Sequence, residues 1–136
     1  MHILIIRNHN LSMDIQTSVK TCFSKYATFS GRASRSEFWL FQFFTFLGSI
    51  STLIIDIMIL GFSINDDASP TNLIFLLGVM VPSIAVGCRR LHDLNKSGWW
   101  QLLYLTLIGI ILLVIWWATQ GESKKNRFGP PINIKE

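Results

Sequence analysis

Charge is what this sequence has least of. Only 15% of its 136 residues are Asp, Glu, Lys or Arg, against roughly a quarter in ordinary soluble domains. The shortage is local: residues 38–62, 72–88 and 98–119 contain a single such residue, Asp56. Helices of a soluble domain carry a polar face opposite the apolar one. These runs carry none, which argues against a water-soluble fold. Cysteine is nearly as scarce, and Cys22 and Cys88 are too few and too far apart for a disulfide framework. No glycine-rich phosphate loop and no internal repeat is visible, and no nucleophile stands beside a recognisable base. His92 has no second ligand at metal spacing, since His2 and His9 fall in a segment set apart from the rest. The chain is therefore expected to be non-enzymatic, with no metal and no cofactor. The net charge of +4 comes from basic residues that flank the apolar runs. They are not interleaved with aromatics on one polar face, so a membrane surface is favoured over nucleic acid.

What is present reads as membrane helices. Residues 38–62 are long enough to cross a hydrocarbon core of about 30 Å. Ser34, followed three residues later by Glu37, forms a capping box that starts this helix. Gly48 and Thr52 offer a small packing face. Asp56 is an intramembrane acid and so a functional candidate, although its place near the end of the run favours a hydrated interfacial group. Ser69 and Pro70 look like the N-cap and first position of a second span, residues 70–88, which Pro82 should kink. A third span is expected over residues 98–119. Trp99 and Trp100 mark one end and Trp116 and Trp117 the other, about 25 Å apart on a helix, as two interfacial aromatic belts would be.

Residues 1–12 match nothing that follows, so Met13 is expected to be the natural start and the residues before it an added or disordered extension. Residues 13–131 then form one membrane domain. Ile15, Val19, Cys22, Phe23 and Tyr26 recur at helical spacing. That pattern gives an amphipathic interfacial helix or, equally, a helix packed on the protein's own face. Residues 120–136 read as an irregular polar tail. The expected fold is all-α, a small integral bundle of three transmembrane helices preceded by that amphipathic helix. Eight basic residues on the amino-terminal side against four in the tail place the amino end in the cytoplasm and the carboxyl end outside, in the periplasm. The four in the tail pull the other way.

Phe29 to Trp39, Arg89 to Asp93 with Ser97 to Trp100, and Asn126 to Pro130 together resemble a family of small bacterial inner-membrane proteins, domain of unknown function 805. The resemblance covers roughly residues 23–131. It implies an inner-membrane location and this architecture, and brings no assigned reaction. Two departures stand out: no proline precedes Gly109, which removes the reason to expect a kink in the third run, and Pro131 directly follows Pro130.

The candidate site is a polar cluster. Arg32, Arg35, Arg89 and Arg90 would surround Glu37, His92 and Asp93 if both motifs meet at one membrane face. Guanidinium groups could there bind a lipid headgroup or another anion. Alternatively the charges pair with each other and lock the helices. Asn126, Arg127, Phe128 and Gly129 are either a docking motif or a turn that ties down the tail. The expected partners are the lipid bilayer with its anionic lipids, and a second copy or another membrane protein. An oligomeric transporter or channel component, with Asp56 lining the path, is the alternative reading.

Overall fold

A computed structural model describes residues 14–132, so the expectations for residues 1–12 and for the last four residues lie outside it. Among the described residues the chain is helical, without a strand. Helix α1 spans Ile15–Ser24, α2 Arg35–Met58 and α3 Pro70–Asp93. A 3-10 helix, Gly98–Leu105, and α4, Leu107–Ala118, follow.

Helices α2 and α3, of 24 residues each, are about 36 Å long and exceed a hydrocarbon core of about 30 Å. Most of their apolar surface lies outside the protein, which in water would be untenable and in lipid is the normal state. Gly48 lets them approach: a Cβ there would sit 2.3 Å from the Phe75 ring. The start of α3 is capped from a distance. Ser69 makes no side-chain cap, and Asp56 takes that role by accepting from Thr71 N at 3.2 Å and Asn72 N at 3.0 Å. Asp56 is thus fully buried between the helices, not hydrated at an interface. Its charge faces the positive end of a helix dipole. Asn72 completes the joint, donating to the Ser49 carbonyl and to the Ser49 and Thr52 hydroxyls.

Helix α1 adopts the packed alternative. Its Ser18 hydroxyl donates to the Glu37 carbonyl at 2.6 Å, Cys22 is buried, and Phe23 meets Phe41 and Phe44 edge to face. Pro82 has no N–H, so the carbonyl of Gly78 loses its helical donor. Tyr26, just beyond α1, supplies one: its hydroxyl donates to Gly78 O at 2.8 Å.

The third apolar run corrects the sequence reading. It is not one helix, because Thr106 takes an extended conformation and its hydroxyl caps α4 by accepting from Gly109 N at 3.0 Å. Gly109 turns against Leu103, where a Cβ would lie 2.2 Å from the carbonyl oxygen. The two legs fold back on each other. Trp100 and Trp116, expected at opposite belts, touch edge to face at 5.6 Å, and Tyr104 packs on Trp117 at 5.5 Å. The 3-10 leg of 8 residues is about 16 Å long and the α-helical leg of 12 about 18 Å, so neither spans the core. The tail returns accordingly to the end of α3 at which the run began, with Glu122 N donating to Asp93 O at 2.9 Å. This disagrees with a tail on the far side of the bilayer from the amino-terminal arginines.

Removing the Tyr26 hydroxyl with Tyr26→Phe should cost about 1 kcal/mol, read by denaturant unfolding in detergent. In a Pro82→Ala background, which restores the helical donor, the same change should cost markedly less; equal costs in both backgrounds would contradict the pairing.

Candidate functional site

Backbone geometry first assembles the polar end. Ser34 caps α2 by accepting from Glu37 N at 3.0 Å. The capping box is only half formed, because the Glu37 carboxylate turns instead to α3. Gly31, at φ +86°, bends the preceding loop, and Ala33 N then donates to the Arg89 carbonyl at 3.0 Å. Helix α3 ends in a Schellman motif: Lys96 N donates to Leu91 O and Asn95 N to His92 O, both at 2.9 Å, with Asn95 left-handed at φ +58°.

Two charge centres result. In the first, Arg89 Nη1 meets Glu37 Oε1 at 2.6 Å, both side chains buried. Cys22 Sγ lies 3.8 Å from the same oxygen. Burial, and then the Glu37 charge, push the Cys22 thiol up to about 12. At neutral pH it is therefore protonated and unreactive. Arg89 Nε and Nη2 have no hydrogen-bond partner among the described residues.

In the second centre Asp93 takes two guanidinium groups, Arg32 Nε at 2.8 Å and Arg90 Nη1. The remaining donors of both arginines go to backbone carbonyls. Arg90 binds Ala33 O at 3.3 Å, Trp117 O at 3.1 Å and Thr119 O, the last two at the carboxyl end of α4. Arg32 binds Lys124 O at 2.9 Å, Gly129 O at 3.3 Å and Glu122 O, all in the tail. Gly121 is forced at the contact, since a Cβ there would overlap the Asp93 carboxylate. The tail motif is a turn closed on the cluster: Phe128 stacks on His92 at 3.9 Å, Asn126 donates to His92 O at 3.0 Å, and Arg127 donates to Asn95 O at 3.2 Å. His92 Nδ1 lies 2.9 Å from Gly31 O, and a carbonyl only accepts, so this nitrogen carries the proton.

The structure thus gathers Arg32, Glu37, Arg89, Arg90, His92 and Asp93 and packs them against each other. Arg35 stands half-buried in the first turn of α2. The buried guanidinium groups face carboxylates and carbonyls, which is what locks helices together; the exposed cations among the described residues are Lys20, Lys25, Lys124, Lys125 and Arg127. The two tryptophan pairs meet at one end: Trp117 Nε1 donates to Gly87 O, Trp39 Nε1 donates to Trp117 O, and Lys96 lies over the Trp116 ring at 4.5 Å. Among the described residues no three His, Cys, Asp or Glu side chains converge as a metal site. Tyr26, Asn72, Thr106 and Gly121 were not singled out for these roles. Thr106 left a trace, a hydroxyl three residues before a glycine inside an apolar run.

Two helices of membrane length, apolar outward and joined at one end by buried ion pairs, define a small helical integral membrane protein. The chain belongs to the family described as protein of unknown function DUF805, whose model matches residues 26–130. It is 37% identical over 107 residues to the inner membrane protein YhaI of Escherichia coli (strain K12), covering 76% of this chain and 85% of that protein. It is 35% identical over 106 residues to the inner membrane protein YhaH of the same strain, covering 77% and 87%. No solved structure matches.

Because Arg89 and Glu37 neutralise each other in a buried site, Arg89→Met alone should destabilise the protein by about 3–5 kcal/mol in detergent unfolding, and adding Glu37→Met should recover most of it. Cys22 should resist maleimide at pH 7 in the folded protein and react at once in denaturant; equal rates in the two states would contradict its burial.

Proposed function

We propose that the protein is a non-catalytic inner-membrane protein that crosses the bilayer twice, dips a re-entrant hairpin into the cytoplasmic leaflet, and binds lipid at that face. One observation carries this reading. Every Lys and Arg among the described residues lies in a segment joined to the end where Arg32, Arg89 and Arg90 are buried, while residues 59–69, at the other end, contain Asp66 and Asp67 and no basic residue. The positive-inside rule then puts both ends of the described chain in the cytoplasm. The four basic residues of the tail, which oppose a three-span arrangement, agree with this one.

Hydrocarbon tolerates a non-crossing apolar segment only if its backbone is satisfied by the protein. Arg90 and Trp39 bind the Trp117 carbonyl, and Arg90 also takes the Thr119 carbonyl. The buried arginines fix this geometry, and the exposed lysines of α1 and the tail face anionic headgroups, each adding about 1 kcal/mol of attraction near such a surface. A second copy or another membrane protein would meet the same cytoplasmic face. Asp56, spent on capping α3, gives a transport path no free acid.

Single cysteines introduced by Ser123→Cys and Asp67→Cys, with Cys22 and Cys88 changed to Ser, test this in intact cells. An impermeant maleimide should label Asp67→Cys from the periplasm and leave Ser123→Cys unlabelled until the cells are opened. Labelling of both before lysis would refute the double crossing. Lys124→Gln with Lys125→Gln should reduce anionic-lipid adducts in native mass spectra.

A further inference from the structure

The re-entrant hairpin stands away from α2 and α3 over part of its length and leaves a partly open cavity of about 700 Å³, within the range of small-molecule sites. Phe38, Ile84, Leu102 and Trp117 form its apolar walls. A second hollow of about 560 Å³ shares Gln42 and Ser83 with the first and continues between α2 and α3 past Phe46, Leu76 and Met80. Ser83 lies ten residues before Asp93, about 15 Å along the helix, so the junction is at hydrocarbon depth.

Three polar groups line the first hollow without use in the fold, two of them, Gln42 and Ser83, at the junction. The Gln42 amide and the Ser83 and Tyr104 hydroxyls line the cavity and make no hydrogen bond to any described residue. Polar groups facing hydrocarbon without a partner are costly. Their pattern is specific, because an amide and two hydroxyls both donate and accept. No Lys, Arg, Asp or Glu lines either hollow. His92, at the rim, has one ring nitrogen on Gly31 O and the other 3.5 Å from the Cys88 thiol, and the arginines behind it are turned to Asp93, Glu37 and carbonyls.

We propose that this cavity is a binding site for an uncharged lipid with a hydroxyl head, of the diacylglycerol class. Its head sits among Gln42, Ser83 and Tyr104, and one acyl chain runs along the α2–α3 groove. A phosphate head is disfavoured, since no cation reaches the site to offset its desolvation. The site differs in position and chemistry from the anionic-lipid surface proposed above, and does not depend on which side of the membrane the hairpin enters.

The test uses the full chain reconstituted in phosphatidylethanolamine–phosphatidylglycerol vesicles containing a diacylglycerol with a diazirine in one acyl chain. Photolabel should map to Phe46, Leu76 or Met80. Unlabelled diacylglycerol should compete and phosphatidic acid of the same chains should not. Ser83→Trp, which fills the junction, should cut labelling about tenfold, and Gln42→Leu about fivefold, through one lost hydrogen bond. Label spread over the outer faces of α2 and α3, equal competition by phosphatidic acid, or labelling indifferent to Gln42→Leu would each overturn the proposal. If Ser83→Trp fails to accumulate in membranes, competition on the unaltered chain and Gln42→Leu still decide.

Discussion

The Asp93 carboxylate, shared by the guanidinium groups of Arg32 and Arg90, is the constraint on which the rest of the structure depends. A carboxylate this deeply buried is tolerable only when fully paired, and the arginines in turn need acceptors for the donors that Asp93 leaves over. Those acceptors are backbone carbonyls at the end of α4 and in the tail. One buried acid therefore determines where the hairpin ends and where the tail lies. The neighbouring Arg89–Glu37 pair joins α1, α2 and α3 in the same way.

The bilayer sets the other half of the logic. With lipid outside, apolar contact between helices gains little over contact with acyl chains, so close packing and internal hydrogen bonds have to specify the fold. Gly48 against Phe75, Asn72 against Ser49 and Thr52, and Tyr26 on the carbonyl freed by Pro82 serve that purpose. The hairpin extends the principle: Arg90 and Trp39 donate to its Trp117 carbonyl, its own Gln101 and Trp117 side chains donate to carbonyls of α3, and beside it a cavity with unused polar groups remains.

Much of this was legible in the sequence. Two helices of membrane length, the Ser34 cap and the close approach at Gly48 follow from residue types at fixed spacing, and the meeting of the Arg32 and Arg89–Arg90 motifs was open to expectation; the tail motif was expected on the far side and joins them only in the fold. Asp56 was visible as an anomaly, but its role as a cap for α3 depends on a partner 15 residues away in the chain. The two tryptophan pairs misled most. Their separation suits two belts of a crossing helix, whereas Trp100 and Trp116 touch each other once Thr106 breaks the helix.

Sequence by itself determined what the chain must do with its surroundings, because scarcity of charge is a property of composition and lipid is the only solvent that accepts it. It also determined that arginines, acids and a histidine would collect at the ends of the apolar runs, where charge can be satisfied. Only the tertiary structure decided whether the last run crosses or returns. That choice rests on a single threonine cap and on carbonyls bound by arginines from distant helices, and hydrophobic length is the same for a rod that spans the membrane and a hairpin that turns back within it.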